Sequence, residues 1–106
     1  MRKIERQLQT ALVNGREFRS ANTTVTNTDH GQVVRLHGHK IAQIQDRVMY
    51  LTTAGHETAT TKSRLNAVLD ALVPGARVFA KNYTWFLTHN DKTVEFSKID
   101  SVGFSF

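Results

Sequence analysis

Three threonines, a lysine and an arginine crowd the stretch GHETATTKSRLNAVL, Gly55 to Leu69, where a helix is predicted to begin. Thr60 or Thr61 is a suitable N-cap, because a hydroxyl oxygen can accept from a free amide of the first turn. Those amides and the helix dipole also favour an anion, and Lys62 and Arg64 add positive charge within the first turn. Cations at a helix start oppose the dipole when nothing is bound, so an external anion would offset them. On a helical wheel Lys62 and Arg64 lie about 200° apart. They flank the apolar stripe and do not converge on one phosphate. The stretch reads either as a capped helix with solvated basic flanks or as the edge of a polyanion contact.

The second candidate is RVFAKNYTWFLTH, Arg77 to His89, predicted as one long strand or a strand with a bulge near Asn82. Regular alternation puts Arg77, Phe79, Lys81, Tyr83 and Trp85 on one face, and Val78, Ala80, Asn82, Thr84 and Phe86 on the other. A face of cations and aromatics suits single-stranded nucleic acid, with rings stacking on bases and charges meeting phosphates. A competing demand comes from the core, which needs the largest side chains, Phe79 and Trp85 among them. A bulge at Asn82 would also break the alternation. The candidate anion- or nucleic-acid-binding set is thus Thr60, Thr61, Lys62, Arg64, Arg77, Lys81, Tyr83 and Trp85.

Other chemistry finds less support. His37 and His39 have a metal-ligand spacing on a continuous strand, but Gly38 between them marks a turn that would send the imidazoles apart. His30, His56 and His89 stand alone in the sequence, each beside a turn-type residue. Ser63 and Ser97 lack a nucleophile-elbow context, and adjacent His56 and Glu57 rarely converge on one substrate atom. Lys62 follows no glycine-rich phosphate loop. With no cysteine in the chain, thiolate metal sites and disulfides are excluded. The sequence therefore predicts a non-enzyme with no metal site and no cofactor.

The elements that would position these residues follow from periodicity. Ile4, Leu8, Ala11 and Leu12 form one face of a first helix, which Asn14-Gly15 ends. Short β-like runs follow at Thr23–Thr28, Gln32–His37, Lys40–Gln45 and Val48–Thr52, with gaps too short for parallel crossovers. Leu65, Val68, Leu69 and Leu72 stripe the second helix, which Pro74-Gly75 closes. Asn90-Asp91 signals a hairpin between Arg77–His89 and a returning run at Thr93–Ile99. The tail from Val102 to Phe106 is apolar enough to pack. The expected fold is one α+β domain over residues 1–106. Its small antiparallel sheet has about five to six strands and carries two helices, in the order α-β-β-β-β-α-β-β.

The chain has 106 residues, of which 40% are hydrophobic and 22% charged, with a net charge of +5. That is room for one modest core. No apolar run approaches the roughly 18 residues of a membrane span. The basic start, MRKIERQLQTALV, lacks the apolar core of a signal peptide. A cytoplasmic protein without membrane contact is expected, and its positive charge favours a polyanionic or acidic partner.

AGHETATTKSRLNAVLDAL followed by RVFAKNYTWFL resembles a pattern in short, uncharacterised proteins of tailed phages and prophages. In that pattern a Thr-rich segment leads into a Lys/Arg-Ser-Arg-Leu-Asn-Ala helix and then a Lys-Asn-aromatic-Thr-Trp strand. The section NTTVTNTDHGQVVRLHGHKIAQI and the basic first helix are similar too, so the resemblance covers nearly the whole chain. Its most specific part is Thr60-Thr61-Lys62-Ser63-Arg64-Leu65-Asn66. The chain departs from the pattern at His56, where an aromatic is expected, and at His39, where a turn-former is. The resemblance brings no established activity and no ligand residues. It implies a phage-encoded protein acting in the bacterial host cytoplasm.

Three functions compete. A basic nucleic-acid-binding module would bind through the set named above, with affinity falling steeply as salt rises. A host-takeover or anti-defence protein would instead cover an acidic bacterial protein. A structural oligomer would assemble through an exposed strand edge.

Overall fold

The computed structural model describes residues 2–96 and 101–106. The first helix, α1 (Lys3–Val13), turns Leu8, Ala11 and Leu12 inward together with Glu5, while Ile4 is half-buried. It ends at Asn14, and Gly15 takes the left-handed conformation, φ +64, that glycine adopts without a steric cost.

Five strands follow: β1 (Phe18–Ser20), β2 (Thr23–Thr28), β3 (Gly31–Leu36), β4 (His39–Gln45) and β5 (Val48–Leu51). After α2 (Ala59–Leu72) come β6 (Arg77–Lys81), β7 (Thr84–His89), β8 (Lys92–Phe96) and β9 (Val102–Ser105). Strands β1 to β5 form an antiparallel meander, and β9 returns to pair antiparallel with β5, giving the order β1-β2-β3-β4-β5-β9. Strands β6, β7 and β8 make a separate three-stranded sheet.

The α+β class and the placement of the two helices are as the sequence predicts. Three features go beyond that reading. The three-residue β1 is too short to show a period. The tail pairs as β9. The run from Arg77 to His89 is two strands, β6 and β7, because Asn82 and Tyr83 adopt φ +52 and +65. Two successive left-handed residues are what a two-residue hairpin turn of matching twist requires. The expected hairpin at Asn90-Asp91 uses the same device, with φ +51 and +64. Of the returning run predicted to Ile99, residues 97–99 lie outside the described residues.

One core joins both sheets and both helices. Leu8 and Leu12 of α1 and Leu65, Val68 and Leu69 of α2 meet Val25, Val34, Leu36, Met49 and Leu51 of the larger sheet. Val78, Trp85, Leu87 and Phe96 bring in the smaller one. Register explains one departure from simple alternation. Val34 pairs with Ala42 and Arg35 with Lys40, so Ile41 is an inserted bulge residue, and Ile41 and Ala42 are both buried.

The second helix holds the smaller sheet through one side chain. The Asn66 amide donates to the Val78 carbonyl at 2.9 Å, and its oxygen accepts from the Val78 N–H at 2.8 Å. These two bonds satisfy backbone groups on the edge strand β6 that burial would otherwise leave unpaired.

Candidate nucleic-acid interface

The first turn of α2 is capped by Thr58, two residues before Thr60 and three before Thr61, the caps the sequence suggested. Thr58 is extended, φ −115 and ψ 163, and its Oγ1 accepts from the Thr61 N–H at 3.1 Å. Thr61 stands at the third helical position and is buried, its hydroxyl 3.1 Å from that of Thr58. The spacing is that of a capping box with a hydroxyl in place of the usual Glu or Gln. Thr61 thus serves the fold, while half-buried Thr60 borders a cleft with His37, His39 and His56.

Arg64 is not on the surface. It is 3% exposed, and its Nη1 reaches Glu5 Oε2 at 3.1 Å. Its Nε donates to Thr23 Oγ1 at 3.0 Å and its Nη2 to Asn22 Oδ1 at 3.4 Å. The Ser63 hydroxyl donates to the same Glu5 oxygen. An Arg committed in this way to a buried carboxylate has no donor pattern left for a polyanion. The sequence carried a signal for it, since Glu5 precedes Leu8 by three and Leu12 by seven, placing a carboxylate on the apolar stripe of α1.

Two of the other cations converge. Lys62 and Arg77 border a shared cleft of about 320 Å³, together with Glu5, Ser63, Asn66 and Asp70. Arg77 begins the outer row of β6, where it alternates with Phe79 and Lys81. Arg77 and Lys81 are exposed and Phe79 half-buried. Opposite Phe79 on β7 lies Phe86, its ring 5.3 Å away and 21° from parallel. Glu95 of β8 completes that row. Tyr83, at the tip of the turn after Lys81, is fully exposed.

Trp85 belongs to the opposite face. It pairs with Ala80 and Phe96, is 5% exposed, and meets the Phe96 ring edge-on at 6.4 Å. The turn at Asn82-Tyr83 reverses the chain and resets the alternation, so Phe86 takes the place beside Phe79 that an unbroken strand would give to Trp85.

The histidines are less scattered than their spacing suggested. The rings of His39 and His56 lie 4.5 Å apart, and His89 packs on Phe104 at 5.1 Å. Among the described residues no three His, Cys, Asp or Glu side chains are grouped as a metal would need. Ser97 lies outside the described residues. No helix among them is long and apolar enough to cross a membrane.

Fold and surface together define a small α+β protein whose two antiparallel sheets and two helices share one core. The chain belongs to the Kyanoviridae Gp96 protein family, whose model it matches over residues 1–104. It is thereby a phage protein, and the family's description names no activity. No curated protein and no solved structure matched it.

Proposed function

We propose that this protein is a non-enzymatic accessory module that binds nucleic acid in the host cytoplasm. The outer face of β6 and β7 carries the reading: Arg77 and Lys81 bracket the paired rings of Phe79 and Phe86, and Tyr83 stands free at one end. Aromatic rings between cations hold a strand by base stacking and phosphate contact together. Lys62 borders the same cleft as Arg77 and adds a second cation there, beside the acids Glu5 and Asp70.

The cost of the turn supports the same reading. A tyrosine at φ +65 with its side chain wholly in water contributes no packing and strains the backbone. The turn accounts for the φ, as it does at Asp46-Arg47 and Asn90-Asp91, but it does not call for a large exposed ring.

Fluorescence anisotropy with labelled single- and double-stranded oligonucleotides at two salt concentrations tests the proposal. Binding is expected at low salt and weakens as salt rises. Replacing Phe79 and Phe86 together by Leu keeps the apolar volume, removes the stacking surface, and is expected to weaken binding roughly 5- to 150-fold per base lost. No binding at low salt overturns the proposal. A nuclease-resistant, stoichiometric complex with one acidic host protein would then favour the competing role as a modulator of host machinery.

A further inference from the structure

The outer face of the six-stranded sheet carries a second cluster that neither the motifs nor the family accounts for. Register places Arg19 of β1, Thr24 of β2, Arg35 of β3 and Lys40 of β4 in one cross-strand row. At roughly 4.8 Å per strand the row spans about 14 Å. Arg35 and Lys40 are direct neighbours, a pairing of like charges that destabilises a sheet. Among the described residues Arg19, Arg35 and Lys40 form no ion pair. Among the described residues the Lys40 ammonium donates to the neutral Gln43 amide oxygen, at 3.1 Å. Glu17 borders the cleft that Arg19 and Arg35 share, and its carboxylate accepts from the Asn27 N–H at 3.0 Å. Arg19 lies on the edge strand β1, but Arg35 and Lys40 guard no sheet edge, because β3 and β4 are interior strands.

An aromatic surface adjoins the row. Tyr50 of β5 pairs with Gln43 on one side and Gly103 on the other, and it is 50% exposed. A Cβ at position 103 would lie 2.7 Å from the Tyr50 Cε1. The ring is therefore laid down over the glycine backbone, which turns one π-face toward solvent. Tyr50 and Lys40 border one cleft of about 310 Å³, with Gln43, Thr52 and Ser101.

We infer that this face is a second contact for the same ligand: the backbone of a single nucleic-acid strand crosses the Arg19–Arg35–Lys40 row while a base stacks on Tyr50. The inference rests on the nucleic-acid reading proposed above. It assigns a single strand because a flat, exposed ring can stack only on a base that is not already stacked within a duplex. The row, which has no ion pair among the described residues, supplies the charge complementarity that the phosphates need.

The test is anisotropy titration of the full chain with a fluorescein-labelled thymidine oligonucleotide over a range of salt. The Arg19→Gln/Arg35→Gln variant is expected to bind more weakly. The slope of its log affinity against log salt should be shallower by about 1.4, the share of two phosphate contacts on a single strand. Tyr50→Ser is expected to bind roughly 5- to 150-fold more weakly with the slope unchanged, while Tyr50→Phe binds like the parent. Thermal unfolding checks that each variant remains folded. If the parent binds and both Arg19→Gln/Arg35→Gln and Tyr50→Ser match it in affinity and slope, this face is not a contact, and the proposed function stands on the smaller sheet alone. If an unrelated acidic polypeptide displaces the oligonucleotide at equal charge concentration, the face reads charge without phosphate or base, and the inference falls. If the parent does not bind at low salt, the inference and the proposed function fall together.

Discussion

Glu5 and Arg64 form a buried ion pair, and the hydroxyls of Ser63 and Thr23 and the Asn22 amide oxygen complete its hydrogen bonds. A pair of this kind adds little by existing, because taking two charges out of water costs about what their attraction returns, but breaking it is expensive. Glu5→Gln should lower the unfolding free energy by about 3–5 kcal/mol, the penalty of a buried charge left without its partner, as measured by urea denaturation. Glu5→Met combined with Arg64→Leu should recover most of that loss. A double variant no more stable than Glu5→Gln alone would show that the cluster does more than cancel its own charges. Tyr83 lies at the other extreme. Tyr83→Gly removes a left-handed tyrosine and should raise stability by about 0.5–1 kcal/mol, the strain relieved less glycine's greater freedom when unfolded. The same change should weaken oligonucleotide binding. A variant that is both more stable and equally tight would remove Tyr83 from the interface.

At the scale of elements, Asn66 decides how the second helix meets the smaller sheet. Asn66→Ala leaves the Val78 N–H and carbonyl without their partners and should cost about 2–4 kcal/mol. Hydrogen exchange at the Val78 amide should speed up with it. Unchanged exchange at Val78 would mean that something other than this amide protects β6. The elements also show what a sequence can and cannot say. Leu8, Ala11 and Leu12, and Leu65, Val68 and Leu69, were legible as helix stripes because period 3.6 repeats within each element. The hairpin at Asn90-Asp91 was legible from its turn residues. The hairpin at Asn82-Tyr83 was not, since it lacks the glycine that usually marks such a turn and the β-favouring residues on either side read as continuous.

Across the whole molecule, the candidate site was half legible for the same reason. Arg77, Phe79 and Lys81 share a face by local alternation alone. The loss of Trp85 to the core and of Arg64 to Glu5 depends on contacts that no local pattern carries. The row of Arg19, Arg35 and Lys40 depends on the register of four strands. The one tryptophan now serves as a discriminating probe. Buried at 5% exposure, Trp85 should keep its emission maximum when an oligonucleotide binds and shift to the red only on unfolding. A shift or strong quenching on binding by the folded protein would mean that the smaller sheet opens to its ligand.

The Glu5–Arg64 contact also governs how the chain can be born. Its two members are 59 residues apart, and translation at about 5–20 residues per second separates their appearance by about 3–12 s. During that interval the first helix has emerged from the ribosome with a carboxylate on its apolar stripe and no guanidinium to meet it. Docking of that helix must therefore wait for the second, and the larger sheet's meander is synthesised in between. A core closed before then would bury the Glu5 carboxylate without its partner. It closes late, when the residue that most resembled a ligand-binding arginine arrives to complete the fold.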